Sequence, residues 1–412
     1  MYVAKIHLEH VRSFRELDLD LTTRSGSKSP TPRLRTILIG ENGTGKTTLL
    51  RAIAVGLADE KDASGLLAEP TGQFVAGRQV NARQVNATIE IDLRPNQGGG
   101  SSKTVKTVIK NENGQDVLSS KEPETLATNY LVCGYGISRA NEGRAEERTY
   151  RVIDSVYTLF QYEQTLIQTE LTLRRLQDFV GTRRYPRVLN RIKAALGLDR
   201  GVSITLAKGG GVRISGKSIG QNIPLEGWAD GYRKTLAWIL DLYAWAMRAN
   251  CITKTGDVNG IVLIDELEQH LHPSMQTKLL SRLSLLLPHA QIIATTHSPL
   301  IALGASPDEL VVLKRQGRKV VAYQGVRDFC GYSVEDMLSD PKLFDSDVYT
   351  PEVTEKLQRY RKLASKSPSS RSQKEEANLQ KLASELAAQE IPEVRVNPAL
   401  NELQKILKKH NL

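Results

Sequence analysis

Residues 40–47 read Gly-Glu-Asn-Gly-Thr-Gly-Lys-Thr, and no other segment limits the possible folds of this chain as tightly. An apolar, β-prone run (Thr36-Ile37-Leu38-Ile39) precedes it, and a helix-forming run (Thr48-Leu49-Leu50-Arg51-Ala52-Ile53) follows. A glycine-rich turn between strand and helix aims several backbone N–H groups at one point, and the helix start adds positive potential. With Gly-Lys-Thr at its end, such a loop is built to cradle nucleotide phosphates. Gly40, Asn42, Gly43, Gly45, Lys46, Thr47 and Thr48 are therefore the expected nucleotide-binding residues. Lys46 is suited to bridge the β- and γ-phosphates of ATP, and Thr47 to ligate Mg²⁺.

A partner segment lies more than 200 residues downstream, at Gly260-Ile-Val-Leu-Ile-Asp-Glu-Leu-Glu-Gln-His-Leu-His-Pro273. Its run Ile261–Ile264 is continuously apolar, the pattern of a strand covered on both faces of a parallel sheet. Two adjacent acids end it. Strand side chains alternate direction, so Asp265 and Glu266 serve different purposes. Asp265 suits the Mg²⁺ shell, and Glu266 suits polarising the attacking water as a general base. A third segment, Ala290–Thr296, reads as a strand ending at His297-Ser298-Pro299. His297 is placed to reach a γ-phosphate.

This order of strand and phosphate loop, long insertion, Asp-Glu strand and Thr-Thr-His-Ser-Pro strand resembles the ABC-type ATPases of the RecF/SMC/OLD branch. The opening Ile6-His7-Leu8-Glu9-His10-Val11-Arg12-Ser13-Phe14 agrees with that branch's first strand and turn. The resemblance implies a place for Arg12 near the nucleotide. It also implies ATP-dependent dimerisation, with each site capped by a signature loop from a second subunit. The counterpart of that loop is Trp228-Ala229-Asp230-Gly231-Tyr232-Arg233, at the start of an apolar helix, with Ala229 where the signature carries serine. Ala229, Asp230 and Gly231 are expected nucleotide contacts lacking one hydroxyl donor. Leu131–Arg139 resembles the branch's Gly-Tyr-Gly-x-x-Arg segment; for Arg139, a phosphate contact and a structural role stay open. Glu268, Gln269, His270 and His272 fall where the branch has its subunit interface, and read as interface or helix-start residues.

The implied fold is α/β: an ABC-type head over residues 1–345 with a mostly parallel central sheet and an N-terminal antiparallel β-lobe. A short helical insert at 150–200 replaces a coiled coil, and a helical C-terminal tail spans 346–412. Helical spacing runs through Ser155–Phe179 and again from Val188 to Leu196. The loops Arg24–Pro32 and Pro95–Ser102 read as linkers. A hinge at 365–376 separates two amphipathic helices, about 351–364 and 372–390, before a final basic helix.

Of 412 residues, 56 are basic and 46 acidic, a net charge of +10. Residues 174–217 hold eleven Lys or Arg (Arg174, Arg175, Arg183, Arg184, Arg187, Arg191, Lys193, Arg200, Lys208, Arg213, Lys217). Two acids, Asp178 and Asp199, leave nine of the ten net charges in that window. A one-sided excess of this kind favours an anionic partner, DNA or RNA first, over a merely solvated face. Three scattered cysteines (Cys133, Cys251, Cys330) argue against a disulfide framework and for a reducing cytoplasm. No apolar run reaches the ~18 residues that span a bilayer.

Within the branch, the compact head and the stretch Gly331–Arg361 resemble the ATPase subunits of anti-phage systems of the Septu and PARIS kind. That resemblance implies an ATPase that scaffolds or restrains a partner nuclease of HNH or TOPRIM type. A RecF-like repair ATPase binding DNA directly, or an ATP-bound scaffold with little hydrolysis, are the alternatives. After His297 the acid pair Asp345 and Asp347 lacks a preceding apolar strand, so a nuclease within this chain is not expected.

Overall fold

The computed structural model describes residues 1–23, 31–71, 73–75, 85–95, 101–124, 130–139, 142–144, 149–207, 209–217, 219–325, 329, 331–367, 370–389 and 391. Most of both expected linker loops, Lys208, Cys330, Pro368 and Ser369 of the hinge, and the final basic helix lie outside the described residues. The chain divides into two compact units, Met1–Met337 with Lys342–Phe344, and Leu338–Pro341 with the described residues from Asp345 on.

In the first unit, six strands form a sheet in the order Lys319–Gln324, Leu310–Gln316, Arg35–Gly40, His289–Thr295, Asn259–Ile264 and Val132–Tyr135. All neighbours run parallel except the edge pair 310–316 and 319–324. The inner strands are apolar on both faces because both faces are covered; Ile37, Leu38, Ile39, Val262, Leu263 and Ile293 are fully buried. His289–Thr295 lies between Arg35–Gly40 and Asn259–Ile264, so the C-terminal ends of all three reach one edge. The phosphate loop, His297 and the Asp265-Glu266 pair are brought together by this strand order alone.

A second sheet is antiparallel, ordered Phe14–Asp20, Tyr2–Val11, Ala87–Arg94, Lys103–Glu112 and Gln115–Glu122. Its alternation is plain in Ala87, Ile89, Ile91 and Leu93, all buried, against half-exposed Thr88, Glu90 and Asp92. The helix Lys46–Leu57 contacts strands of both sheets and is buried nearly all round. Polar ties help hold these parts together. The buried Gln291 side chain accepts from Val3 N–H at 2.8 Å and donates to the Val3 carbonyl at 2.9 Å, so an amide from the central sheet acts as a strand partner for the other sheet. Lys121 donates from Nζ to the Val55 carbonyl (3.3 Å), the Gly56 carbonyl (3.0 Å) and Thr107 Oγ1 (2.8 Å), capping the negative end of the helix. Burial pushes its pKa down to about 8.

The continuous helical spacing expected over Ser155–Phe179 does not yield one helix. Instead, a short helix Val152–Val156 and a 3-10 turn Tyr157–Leu159 are followed by irregular chain, a two-residue strand Leu166–Ile167, and a helix Thr169–Val180. Val156, Leu159 and Phe160 pack into the core under the antiparallel sheet. Leu166, Ile167, Leu173 and Leu176 join a different core, around the helix Asp230–Arg248. One straight helix could not serve both. Arg51 Nε and Thr71 Oγ1 take up the released Leu159 and Phe160 carbonyls at 2.6 and 2.5 Å. The helix expected around Val188–Leu196 is present as Tyr185–Ala195. A three-stranded antiparallel meander, Ser203–Leu206, Val212–Gly216 and Gly220–Pro224, was not anticipated.

In the second unit, helices Pro351–Ala364 and Gln373–Ala388 enclose Leu357, Leu386 and Ile391. Ser372 and Glu375 form a capping box at the start of the second helix. Asp345 and Asp347 lie in irregular chain before the first.

Candidate functional site

The loop geometry follows from its glycines. Gly45 sits at φ 94°, where a side chain is strained, and a Cβ there would stand 2.6 Å from Ser13 Oγ and 2.7 Å from Phe14 Cζ. The chain can therefore enter the helix Lys46–Leu57 tightly beneath the Arg12-Ser13 turn only with glycine. Lys46 Nζ curls over the loop, donating to the Gly40 and Glu41 carbonyls at 2.7 and 3.0 Å. Burial lowers its pKa, opposed by Asp265, Glu268 and Glu266. Thr47 Oγ1 lies 2.8 Å from Asp265 Oδ2 and 3.1 Å from Oδ1, joining the two segments that sequence spacing separated.

Asp265 is buried, and its Oδ1 accepts from Thr295 Oγ1 at 2.6 Å. Glu266 occupies the left-handed region at φ 49°, a conformation costing roughly 1–2 kcal/mol for a residue with a Cβ. Its N–H donates to Thr295 Oγ1 at 2.8 Å. Burial raises the Glu266 pKa first, helped by Asp265 and Glu268 and opposed by His297 and Arg139. Glu268 binds the neighbouring strand end: Oε2 accepts from Thr296 Oγ1 and Oε1 from His297 N–H, both at 2.6 Å. That carboxylate fixes the backbone carrying His297, whose ring is exposed toward the loop.

Arg12, Asn42, Gly43, Gly45, Lys46, Thr47, Thr48, Asp265, Glu266 and His297, with Ser13, line one cavity of about 380 Å³. Gly40 contributes its carbonyl to Lys46. Arg12 takes φ 48°, donates its N–H to the Phe74 carbonyl at 2.8 Å and its Nε to the Gln73 carbonyl. Burial lowers its pKa, with Arg51 adding to the effect. Ala229, Asp230 and Gly231 lie outside this cavity. Ala229 caps the helix Asp230–Arg248 without a side-chain bond. Asp230 pairs with Arg233 at 2.6 Å and Lys234 at 3.5 Å. A Cβ on Gly231 would stand 2.5 Å from the His270 carbonyl, so this helix start packs against the segment after Glu266. His272 caps the short helix Pro273–Gln276, a helix-start role. Among the described residues no group of three or more His, Cys, Asp or Glu side chains is placed to hold a metal ion.

For Arg139 the structure decides between the open alternatives. Its guanidinium is buried and donates to the carbonyls of Gly136 (3.1 Å), Asp265 (2.5 Å) and Glu266 (2.6 Å). It holds backbone and is not among the residues that line the cavity. Three contributions escaped the sequence reading. Thr295 bridges Asp265 and Glu266, Glu268 braces His297, and Arg315 reaches from the strand Leu310–Gln316 to the Gly43 carbonyl at 3.1 Å. Thr295 had a signal in the Thr-Thr-His-Ser-Pro run; Arg315 had none.

The basic window is not one helical face. It spreads over the helices Thr169–Val180 and Tyr185–Ala195 and the meander. Arg174 pairs with Glu170, Arg191 with Asp257, and Lys193 Nζ donates to the Val202 carbonyl at 2.8 Å. Arg183, Arg184, Arg187, Arg200 and Lys217 stay exposed. Among the described residues no helix is long and apolar enough to cross a membrane.

Two family models match. One, described as "AAA domain", covers residues 5–178; the other, "AAA domain, putative AbiEii toxin, Type IV TA system", covers 143–303. The Septu protein PtuA of Bacillus mycoides is 26% identical over 395 residues, 92% of this chain and 50% of that protein. The "Retron Ec83 probable ATPase" of Escherichia coli is 37% identical over 95 residues, 23% of this chain and 17% of that protein. This chain thus spans half the length of the first relative and less of the other. The SMC head domain from Thermotoga maritima superimposes with TM-score 0.46 at 16% identity, over 79% of this chain and all of that one.

Proposed function

We propose that this chain, an AAA-type ATPase, binds ATP with Mg²⁺, dimerises around it, and uses hydrolysis to scaffold or regulate a partner nuclease in anti-phage defence. The observation that carries the chemistry is the 2.8 Å approach of Thr47 Oγ1 to Asp265 Oδ2 inside the cavity that Lys46, Glu266 and His297 also line. A hydroxyl and a buried carboxylate meeting this way are hard oxygen donors suited to Mg²⁺. When bound, the ion would neutralise charge on the β- and γ-phosphates. Lys46 then serves the same phosphates, the loop amides orient them, Glu266 polarises the attacking water, and His297 faces the γ-phosphate. Burial and its acidic neighbours push the Glu266 pKa upward, which suits a base.

The Septu and retron relatives support the defence setting, and the exposed arginines on the insert support a nucleic-acid contact. Ala229 favours one alternative, ATP as dimer glue with little turnover, because the helix start it caps lacks a hydroxyl donor. Steady-state ATPase measured with and without DNA separates the two. Lys46→Ala is expected to weaken nucleotide binding and abolish turnover. Glu266→Gln is expected to keep binding and trap an ATP-bound dimer. Parent-like hydrolysis by Glu266→Gln would remove it from the base role.

A further inference from the structure

We propose that Arg139 is the positioning residue that holds Glu266 in its working conformation, through a two-pronged grip on the peptide groups either side of it. The inference rests on the base assignment of Glu266 made above. Glu266 stands at φ 49°, and that angle is set by the orientation of two peptide planes, Asp265–Glu266 and Glu266–Leu267. Each plane offers one carbonyl and one N–H, and all four groups are taken. Arg139 Nη1 holds the Asp265 carbonyl at 2.5 Å, and Nη2 holds the Glu266 carbonyl at 2.6 Å. Thr295 supplies the other half, its Oγ1 taking the Glu266 N–H at 2.8 Å and its carbonyl the Leu267 N–H at 2.9 Å.

A planar guanidinium suits this task because its donors keep a fixed spacing and direction. One ammonium group has no such fixed fork. Arg139 is itself secured. Its Nη1 also donates to the Gly136 carbonyl, the Gly136 N–H donates to Thr158 Oγ1 at 3.2 Å, and Ser138 Oγ donates to the Gln161 carbonyl at 3.2 Å. The loop after the strand Val132–Tyr135 is thus braced against the chain at 158–161. Without Arg139, the Asp265 carbonyl loses this donor and the Glu266 carbonyl keeps the Gln269 N–H at 2.9 Å, so the two planes are held mainly from the Thr295 side and Glu266 can leave the left-handed region. Its carboxylate then swings away from the cavity, while the phosphate loop, Lys46 and the Thr47–Asp265 contact stay in place.

The test compares Arg139→Ala and Arg139→Lys with the parent, reading kcat, KM and direct binding of a fluorescent ATP analogue. Misplacement of a reacting group by about 1 Å costs roughly 100-fold in rate. We expect kcat to fall by about 10–100-fold in Arg139→Ala, with analogue affinity kept. Kept affinity also reports a folded site. Added guanidinium at millimolar concentration should restore part of the lost kcat in Arg139→Ala, and ammonium should not. Arg139→Lys should fall between parent and Arg139→Ala. Loss of affinity and kcat together in both variants, or no recovery with guanidinium, would overturn the inference in favour of a merely structural arginine. Glu266→Gln serves as the control. A parent-like Glu266→Gln overturns the base assignment and this inference with it. An inactive Glu266→Gln beside a parent-like Arg139→Ala overturns this inference alone.

Discussion

Thr295→Val is the most informative single substitution outside the phosphate loop. Valine matches threonine in shape, so packing around this fully buried side chain is kept and only the hydroxyl goes. That hydroxyl donates to Asp265 Oδ1 at 2.6 Å and accepts from Glu266 N–H at 2.8 Å. Its loss strands one N–H in a part-buried setting, at about 1–3 kcal/mol. Asp265 loses a donor but keeps Thr47, adding about 1 kcal/mol more. The expected loss of stability is therefore about 2–4 kcal/mol. The larger signal should lie in metal dependence. Removing a hydrogen-bond partner of a metal ligand lowers metal affinity by about 10–100-fold. We expect the Mg²⁺ midpoint of ATP hydrolysis to rise by that factor, measured as initial rate against free Mg²⁺ at saturating ATP. Thr295→Ser is the control: it keeps the hydroxyl and gives up one methyl, about 0.8 kcal/mol, so its midpoint should match the parent. An unchanged midpoint in Thr295→Val, or equal shifts in both variants, would refute the argument.

Two other outcomes follow from the fold and the insert. Lys121 gives up its proton near pH 8 when folded, against 10.5 for the free side chain, so the unfolded chain binds more protons between those values. Stability relative to Lys121→Met should rise through that window by about 3 kcal/mol, read as the difference in denaturant unfolding between pH 7.5 and pH 10.5; a flat difference contradicts the buried-ammonium account. Reversing Arg183, Arg184 and Arg187 to Glu should weaken nucleic-acid binding and flatten its dependence on log salt, since each displaced phosphate contact contributes a slope of about −0.9 on duplex DNA; unchanged binding removes these arginines from any interface.

The site was legible where backbone chemistry writes itself into contiguous residues. Gly40–Thr47 can do little else between a strand and a helix, and Asp265-Glu266 after four apolar residues marks the end of a buried strand. What joins them depends on strand order and register, which no local pattern encodes. Thr295 and Arg139 illustrate this. Thr295 meets Asp265 because the strands His289–Thr295 and Asn259–Ile264 pair Ala294 with Ile264. Arg139 is buried beneath backbone that lies 126 residues away in sequence. The stripe over Ser155–Phe179 misled for another reason: spacing reports that residues are apolar, not which core they enter, and here two cores divide them. The meander was readable in principle, since Ile204 and Leu206 alternate with polar neighbours, as do Val212 and Ile214. The surrounding charge drew the reading toward an anionic partner instead.

The Gln291 side chain sets an unusual limit on substitution. Elsewhere the central strands are joined through backbone groups that every residue carries, so valine, isoleucine and leucine could trade places at modest loss. At Val3 the pairing is done by a side chain that both accepts and donates. Glutamate offers only acceptors, lysine only donors, and asparagine is one methylene short. This tie between the two sheets therefore depends on the identity of one residue rather than on a pattern, as does the matching one at Gln324, whose amide accepts from Asp20 N–H at 3.4 Å and donates to the Asp20 carbonyl at 2.6 Å.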